Sequence, residues 1–566
     1  MLLSNLNLLA AAPGGVARLR ELILTLAVQG KLLPQDPRDE PARVLLQAIR
    51  AEKDRLIAEG KIKRDKPLAA IAEEEKPFEV PKGWEWVHLS ALAVQITKGT
   101  TPTTFGHSYT KEGVNFVKIE NIDRGRLNLA QMTDFIALET HEIMNRSQLS
   151  TGDVLFSIAG TIGKTAVVLE EDLPANTNQA LAIIKGAAKH VNQQFLLLAL
   201  DSFVSKKVKD KARGGAMNNI SLGDLSELLI TIPPFAEQTR IVTRVEELMR
   251  LCDALESKGQ LEAAQHAQLV STLLATLTDS ATPDALAENW QRIASHFDLL
   301  LDRPQAVDAL EQTILQLAVR GLLVPQDPAE EPARVLLKNI RAEKDRQIAA
   351  GQLKRDKPLP PVAPEEQPFA LPQGWEWARF PELGEFGRGK SKHRPRNDPV
   401  LFNPPLYPVV QTGEVARAKR VIQAYHSKYS EVGLAQSKLW PAGTLCITIA
   451  ANIADAALLG FDACFPDSVV GFVPASVMGS ANYFLTFMET ARTQLIAFAP
   501  ATAQKNINLE ILSSLLIPLP PLAEMERIVA RVEALRGLCA DLRQRLAASQ
   551  RTQAQLAEAL VASTSA

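Results

Sequence analysis

Residues 19–68 read LRELILTLAVQGKLLPQDPRDEPARVLLQAIRAEKDRLIAEGKIKRDKPL, and residues 310–359 read LEQTILQLAVRGLLVPQDPAEEPARVLLKNIRAEKDRQIAAGQLKRDKPL. The two stretches share 35 of 50 positions without a gap, at an offset of 291. The same offset carries PFEVPKGWEW (77–86) onto PFALPQGWEW (368–377). A second pair follows at an offset of 287: NISLGDLSELLITIPPFAEQTRIVTRVEELMRLCDAL (219–255) and NINLEILSSLLIPLPPLAEMERIVARVEALRGLCADL (506–542). The segments between them, 87–218 and 378–505, show no convincing identity. A repeat this long exceeds the 20–45 residues of a solenoid unit. It reads as a duplication giving two half-molecules, which tend to associate by the logic of a two-fold dimer.

Each 50-residue block reads as two helices. Leu19, Leu22, Ile23, Leu26 and Ala27 follow helical spacing, Gly30 closes the first helix, and Pro34 to Pro37 turn the chain. A second helix runs from about Glu40 to Glu59, with RAEKDR expected on a solvated face. The inserts read as mixed α/β modules. Strand-like runs stand at 114–122, 152–160 and 165–169, and at 405–413, 443–451 and 468–474. Helices are expected over 193–212 and 481–498. After Pro-Pro (233–234 and 520–521) comes a long helix in each copy. Its apolar seam is Ile241, Val245, Leu248, Cys252 and Leu255 in one copy, and Ile528, Val532, Leu535, Cys539 and Leu542 in the other. The alternating four- and three-residue steps predict a heptad seam that resumes at Leu269 and at Leu556, with the two helices packed on each other. The chain thus divides into a helical region (1–77), an insert domain (78–235), a long helix (236–277), a linker with the repeated helical region (278–374), a second insert domain (375–521) and a C-terminal long helix (522–566).

The 566 residues carry 62 basic and 64 acidic side chains, a net charge of −2, so any pull towards a polyanion must be local. Aromatics make up 5 %, too few for a binder built on stacking platforms. Four isolated cysteines exclude a disulfide framework and give no zinc spacing. No run of about 18 apolar residues spans a membrane. The N-terminal MLLSNLNLLAAAPGG has a short apolar run broken by Ser4, Asn5 and Asn7, so a cytoplasmic location is expected.

Catalytic motifs are wanting. GTIGKT (160–165) places Ile158 where a phosphate-binding loop needs glycine, and reads as a turn between strands. Asn403-Pro404-Pro405-Leu406 lacks the aromatic that amino-methyltransferases stack on a flipped base. Basic patches do exist. Lys206, Lys207, Lys209, Lys211 and Arg213 form one. Arg388, Lys390, Lys392, Arg394 and Arg396 form a denser one, whose charges repel unless a polyanion is present. Arg417, Lys419 and Arg420 form a third.

Repeated blocks framing unlike inserts resemble the specificity subunit of a type I restriction-modification enzyme. The landmarks are LAVQGKLLPQDP and LAVRGLLVPQDP, GWEW before each insert, and NIS…IPPFAEQTRIV and NIN…LPPLAEMERIV after each. Met525, where the first copy has Gln238, is a small departure. The resemblance implies an α+β chain in which two globular α/β target recognition domains, 78–235 and 375–521, are joined by long antiparallel coiled-coil helices in a pseudo-two-fold repeat. It implies that each domain reads one half of a split, asymmetric sequence in double-stranded DNA. The helices would set the gap and dock two methyltransferase subunits, which bind S-adenosylmethionine. A motor and nuclease subunit using ATP and Mg completes such a complex. No cofactor, metal or catalysis is expected of this chain itself.

Within that picture basic side chains position the phosphates and polar ones read base edges. Lys98, Thr100, Thr101, Asn121 and Asn219 are the further candidates in the first insert. Gln411, Lys505 and Asn506 are those in the second. Asn219 and Asn506 have a competing role as caps of the following turn. Two other readings compete with the whole: a self-sufficient adenine methyltransferase with degenerate motifs, and a coiled-coil scaffold that binds no DNA.

Overall fold

The first repeated helix, α1 (Gly15–Val28), buries Leu19, Leu22, Ile23, Leu26 and Ala27, the face its spacing dictates. In this computed structural model, residues 9–10, 12–62, 64, 68–186, 190–212, 219–280, 282–353, 359–450, 453–498 and 507–565 are described. The chain forms two compact units, residues 1–261 with 550–566, and residues 262–549.

In the first unit α2 (Ala42–Ala58) leads to β1 (Glu85–His88), which starts within the GWEW block. β1 pairs antiparallel with β9 (Leu229–Ile232), from Glu85↔Ile232 to His88↔Leu229. The strand entering the insert therefore lies beside the strand leaving it. Inside this clasp, β2 (Gln95–Lys98), β8 (Leu181–Lys185), β5 (Val154–Ser157) and β6 (Thr165–Val167) form an antiparallel sheet in that order. A smaller sheet sets β3 (Val114–Val117) between β4 (Phe135–Ile136) and a parallel partner, β7 (Ala175–Thr177). Helix α3 (Gln193–Ala212) covers the larger sheet, with Phe195 buried beside Phe156 and Trp84 in one core. Helix α4 (Phe235–Thr278) begins straight after the clasp.

The second unit repeats this plan. After α5 (Pro283–Ala294), α6 (Pro304–Val319) and α7 (Ala333–Ala349), β10 (Glu376–Ala378) and β20 (Ile517–Leu519) make the clasp. A five-stranded sheet runs β11 (Gly384–Arg388), β19 (Val469–Pro474), β16 (Leu445–Thr448), β17 (Ala456–Leu459) and β13 (Val421–Ile422). The smaller sheet runs β14 (Ser427–Tyr429), β12 (Tyr407–Val409), β18 (Ala463–Cys464) and β15 (Leu439–Trp440), with β12 and β18 parallel. A short helix, α8 (Thr412–Arg417), follows β12 in the chain. Helix α9 (Asn482–Phe498) packs into the core, and α10 (Leu522–Ser565) follows the clasp. Strand order and direction thus match between inserts whose sequences do not. β2, β8, β5 and β6 correspond to β11, β19, β16 and β17, and the parallel pair β3/β7 corresponds to β12/β18.

The repeated landmarks meet in space. Gly30 and Gly321 sit at φ 68° and 72°, and a Cβ on either would crowd the Trp84 or Trp375 ring. Trp84 Nε1 donates to Glu237 Oε2 at 2.9 Å, and Trp375 Nε1 to Glu524 Oε2 at 3.0 Å. Gln35 and Gln326 donate to the same carboxylates. Burial pushes both carboxyls above their usual range. Gly30 therefore does more than end a helix: it seats the indole. RAEKDR also departs from expectation. Lys344 is 6 % exposed and donates to the Gly384 carbonyl at 3.1 Å, and Lys53 donates to the Ser90 and Ala93 carbonyls. The lysine at this position is a plug beneath the insert, not a solvated charge.

The long helices pack on each other as expected, but each seam gains a further partner and its phase needs a correction. Cys252, with Ile241 and Val245, is buried in a core shared with Leu19 and Ile23 of α1 and with Ala557 of the C-terminal helix; Leu248 and Leu255 pack against it. Ile528 and Val532 are buried in the second insert's core. Cys539, flanked by Leu535 and Leu542, is buried with Leu310, Ile314 and Leu317 of α6 and with Val270, Leu274 and Leu277. Each seam thus faces the short helix of its own unit as well as the far end of the other long helix. Beyond the polar gap, Leu269 and Leu556 are 52 % and 54 % exposed, while Val270 and Ala557 are buried. Val270 and Ala557 both lie eighteen residues, or about five turns of a straight helix, beyond the seam cysteines. A strict 3.5-residue repeat drifts about 20° per heptad against such a helix, so the stripe slips by one position.

Candidate nucleic-acid interface

Hydrogen bonds show the two inserts to be superposable at one end of their larger sheets. Gly99 N donates to Leu181 O and Thr100 N to Thr177 O; Gly389 N donates to Val469 O and Lys390 N to Phe465 O. A Cβ on Gly99 would lie 2.1 Å from Thr177 O, and one on Gly389 2.2 Å from Phe465 O. Only glycine admits so close a backbone approach. Lys98 therefore stands where Arg388 stands, and Thr100 where Lys390 stands. The candidate loops KGTTPTT and RGKSKHRPR occupy one place in one frame.

Four more segments converge there. The β5–β6 hairpin loop (158–164) and the ends of its counterpart, Thr448 and Asp455, close alike: Lys164 N donates to Ser157 Oγ at 2.7 Å, and Asp455 N to Thr448 Oγ1 at 3.1 Å. This is the GTIGKT segment, a hairpin loop as expected. Its Lys164 ammonium reaches the Ile119 and Ile122 carbonyls. The turns 178–180 and 466–468 meet these loops through Ile158 N to Ala180 O and Ile449 N to Ser468 O. Ile220 N donates to Ile158 O and Ile507 N to Ile449 O, which brings exposed Asn219 to the first site beside Ala159. Asn219 does not cap the following turn; the caps there are Ser221 in the first copy and Asn508 in the second. Finally, Lys118 N donates to Asn121 Oδ1 at 2.8 Å as Gln411 N does to Glu414 Oε2 at 2.9 Å. Lys118 and Gln411 are thus equivalent, and so are Asn121 and Glu414.

Chemically the two ends differ. In the first, Lys98, Thr103, Thr104, Thr161 and Gln179 are exposed. Thr101 is half-buried, and its hydroxyl bonds that of Thr104 at 3.1 Å. In the second, Arg388, Lys390, Lys392, Arg394 and Arg396 are all exposed. Gln436 accepts from the Lys392 and His393 amides, and Ser437 donates to the Lys390 carbonyl, so the basic loop is held from outside itself. Arg394 folds back on the Ser391 and His393 carbonyls. Arg396 is not unopposed: it meets both Asp467 oxygens, at 3.1 and 3.2 Å.

Several candidates lie elsewhere. Asn121 is 2 % exposed and its amide also donates to Gln131 O, so it shapes a turn and presents nothing to a base. Arg417, Lys419 and Arg420 precede β13, the opposite edge of the sheet from β11, about 19 Å away at strand spacing. Arg417 pairs with Glu414, and Arg420 with Glu489 and Glu533, so of that trio only Lys419 has no acidic partner among the described residues. Arg213, Lys505 and Asn506 lie outside the described residues, as do the side chains of Lys206, Lys207, Lys209 and Lys211 on α3. Sequence reading missed Gln179, Asp467 and Lys118, which lie on turns with no local signature and come to the site only by strand pairing. Among the described residues no three His, Cys, Asp or Glu side chains cluster as a metal site. None of the described helices is long and apolar enough to cross a membrane.

Two matching polar sheet ends, differently charged and carried on one duplicated helical frame, define a two-site recognition chain. The family model for the type I restriction modification DNA specificity domain matches residues 81–265 and again 372–549. The chain is 34 % identical over 582 residues to the type I restriction enzyme EcoEI specificity subunit of Escherichia coli, covering 96 % of this chain and 93 % of that one. It is 40 % identical over 394 residues to the EcoAI specificity subunit of the same species, covering 66 % and 63 %. A solved chain of a type I R-M system shares 18 % identity over 86 % of this chain and 99 % of its own, with a TM-score of 0.48. The protein belongs to the family of type I restriction-modification DNA specificity subunits. Its part is recognition of DNA sequence, not catalysis.

Proposed function

We propose that each sheet end reads one half of a split DNA target, and that the two halves differ in sequence. The observation that carries this is the shared backbone frame holding different side chains: Thr100 against Lys390, Lys118 against Gln411, Gln179 against Asp467. A fixed frame sets the same approach to the duplex, and the side chains on it set what is read. The basic loop from Arg388 to Arg396 lies on phosphates and the hydroxyl-rich loop from Lys98 to Thr104 presents short polar groups. The long helices fix the gap between half-sites and dock two methyltransferase subunits. Those subunits hold S-adenosylmethionine, and a motor and nuclease subunit with ATP and Mg completes the restricting complex. Genome-wide mapping of methylated adenine, with and without this gene in a host carrying the partner methyltransferase, tests the reading. Loss of one motif with two unequal halves and a fixed gap is expected. An unchanged methylome in a host with active partners would refute it.

A further inference from the structure

The two halves resemble each other so closely that each short helix could dock on the other half's long helix. Most pairings in that interface cannot tell the halves apart. Arg240 pairs with Asp39 as Arg527 pairs with Glu330, and the tryptophan–glutamate bonds are the same in both. One pairing is reversed. In the first unit Arg20 on α1 lies between two carboxylates of α4, 2.6 Å from Asp253 and 2.7 Å from Glu256. In the second, Arg543 on α10 lies between two carboxylates of α6, 2.7 Å from Asp308 and 2.5 Å from Glu311.

The repeat offsets make the reversal complete. Glu311 stands at the position of Arg20, Arg543 at that of Glu256, Asp308 at that of Ala17, and Ala540 at that of Asp253. Exchanging partners would set Arg20 against Arg543. It would also set Asp308 and Glu311 against Asp253 and Glu256. Both native pairings are attractive and both exchanged pairings are repulsive, which is how paired helices reject wrong partners. We infer that these six charged side chains choose the partner of each short helix, so that α1 accepts the first half of α4 and rejects the equivalent first half of α10, and α6 accepts the first half of α10 and rejects that of α4, in one chain or between two copies. Arg536 of α10, 3.1 Å from Glu311, adds to the second pair, and the first copy has Met249 there.

Two variants of the full chain separate partner choice from simple stabilisation. The first gives unit 1 the pattern of unit 2: Ala17→Asp, Arg20→Glu, Asp253→Ala and Glu256→Arg. Every native pair is then still satisfied, but the exchanged pairs are satisfied too. The second removes the charges altogether: Arg20→Ala, Asp253→Ala and Glu256→Ala. Each protein is unfolded in denaturant, refolded at rising concentration and analysed by light scattering for monomer and exchanged oligomer. Partner choice ranks monomer recovery as parent, then the alanine variant, then the pattern-matched variant, whose oligomer fraction rises about tenfold, as a loss of discrimination of about that factor requires. Thermal midpoints rank differently, with the pattern-matched variant near the parent and the alanine variant lowest. Recovery that follows the thermal ranking, or is equal in all three, overturns the inference. So does a pattern-matched variant that melts below the alanine one.

Discussion

An indole N–H buried without an acceptor costs more than its hydrogen bond was worth, because the group cannot return to water. Loss of Glu237 would leave Trp84 so, since both are nearly inaccessible and the Glu237 carboxylate accepts from its indole. Glu237→Ala should cost about 2–3 kcal/mol in a urea melt, and Glu237→Gln, which keeps an acceptor, clearly less. Equal losses would mean that the cost is packing alone. Asp153 offers a residue with a pH signature. It is 3 % exposed, and burial pushes its carboxyl up to about 6, outweighing Lys185 nearby. A carboxyl raised in the folded state holds a proton that the unfolded chain has released, so its contribution is complete below the unfolded value of about 4 and is lost as pH rises through about 6. Over that window stability should fall by about 2–3 kcal/mol, and Asp153→Asn should flatten the curve there. A parallel decline in the variant would assign the slope to other groups.

At the scale of elements, the basic loop after β11 acts through its charge and the glycine that seats it. Lys390 and Lys392 are exposed charges of the loop with no acid facing them among the described residues, whereas Arg396 has Asp467. Lys390→Ala with Lys392→Ala should lower the slope of log K against log salt by about 2, roughly 0.9 for each phosphate no longer neutralised, with little change in sequence preference. A slope unchanged within error removes the loop from the phosphates. The phase of the long helices is open to an equally direct test. Val270→Asp should destabilise the second unit by about 3 kcal/mol or more, since it buries an unpaired carboxylate, while Leu269→Asp should be nearly silent. The reverse result would restore the heptad register. Here the sequence is legible up to a point. Ile241 through Leu255 mark a buried face because four helical turns tolerate either a 3.5 or a 3.6 period. Beyond the polar gap the two periods differ by one residue, and nothing local distinguishes Leu269 from Val270. Asn121 misleads for a related reason: an asparagine that closes a turn and one that meets a base look alike until its partners are known.

At the scale of the molecule, the duplication is plain in the blocks from Leu19 and Leu310, and the frame follows from it. The likeness of the inserts is hidden from the sequence, because their shared features are backbone bonds such as Gly99 N to Leu181 O and Gly389 N to Val469 O, which many side-chain sets permit. That likeness makes a chimera feasible. Replacing residues 89–228 by residues 379–516 should give a chain that folds and, with its methyltransferase partner, marks a motif built from two copies of one half-site. An intact asymmetric motif would show that the first half is read outside the replaced segment.

The two short clasps carry one more consequence. β1 and β9 deliver the insert's ends to neighbouring positions about 5 Å apart, and β10 and β20 do the same. Whatever lies between them need only begin and end at one doorway; its length and sequence are free. A stretch of DNA coding for that interior can be exchanged as a cassette, with the repeated flanks serving as crossover points. New specificities then arise by trading whole readers, while the helical frame, and every partner fitted to it, stays as it was.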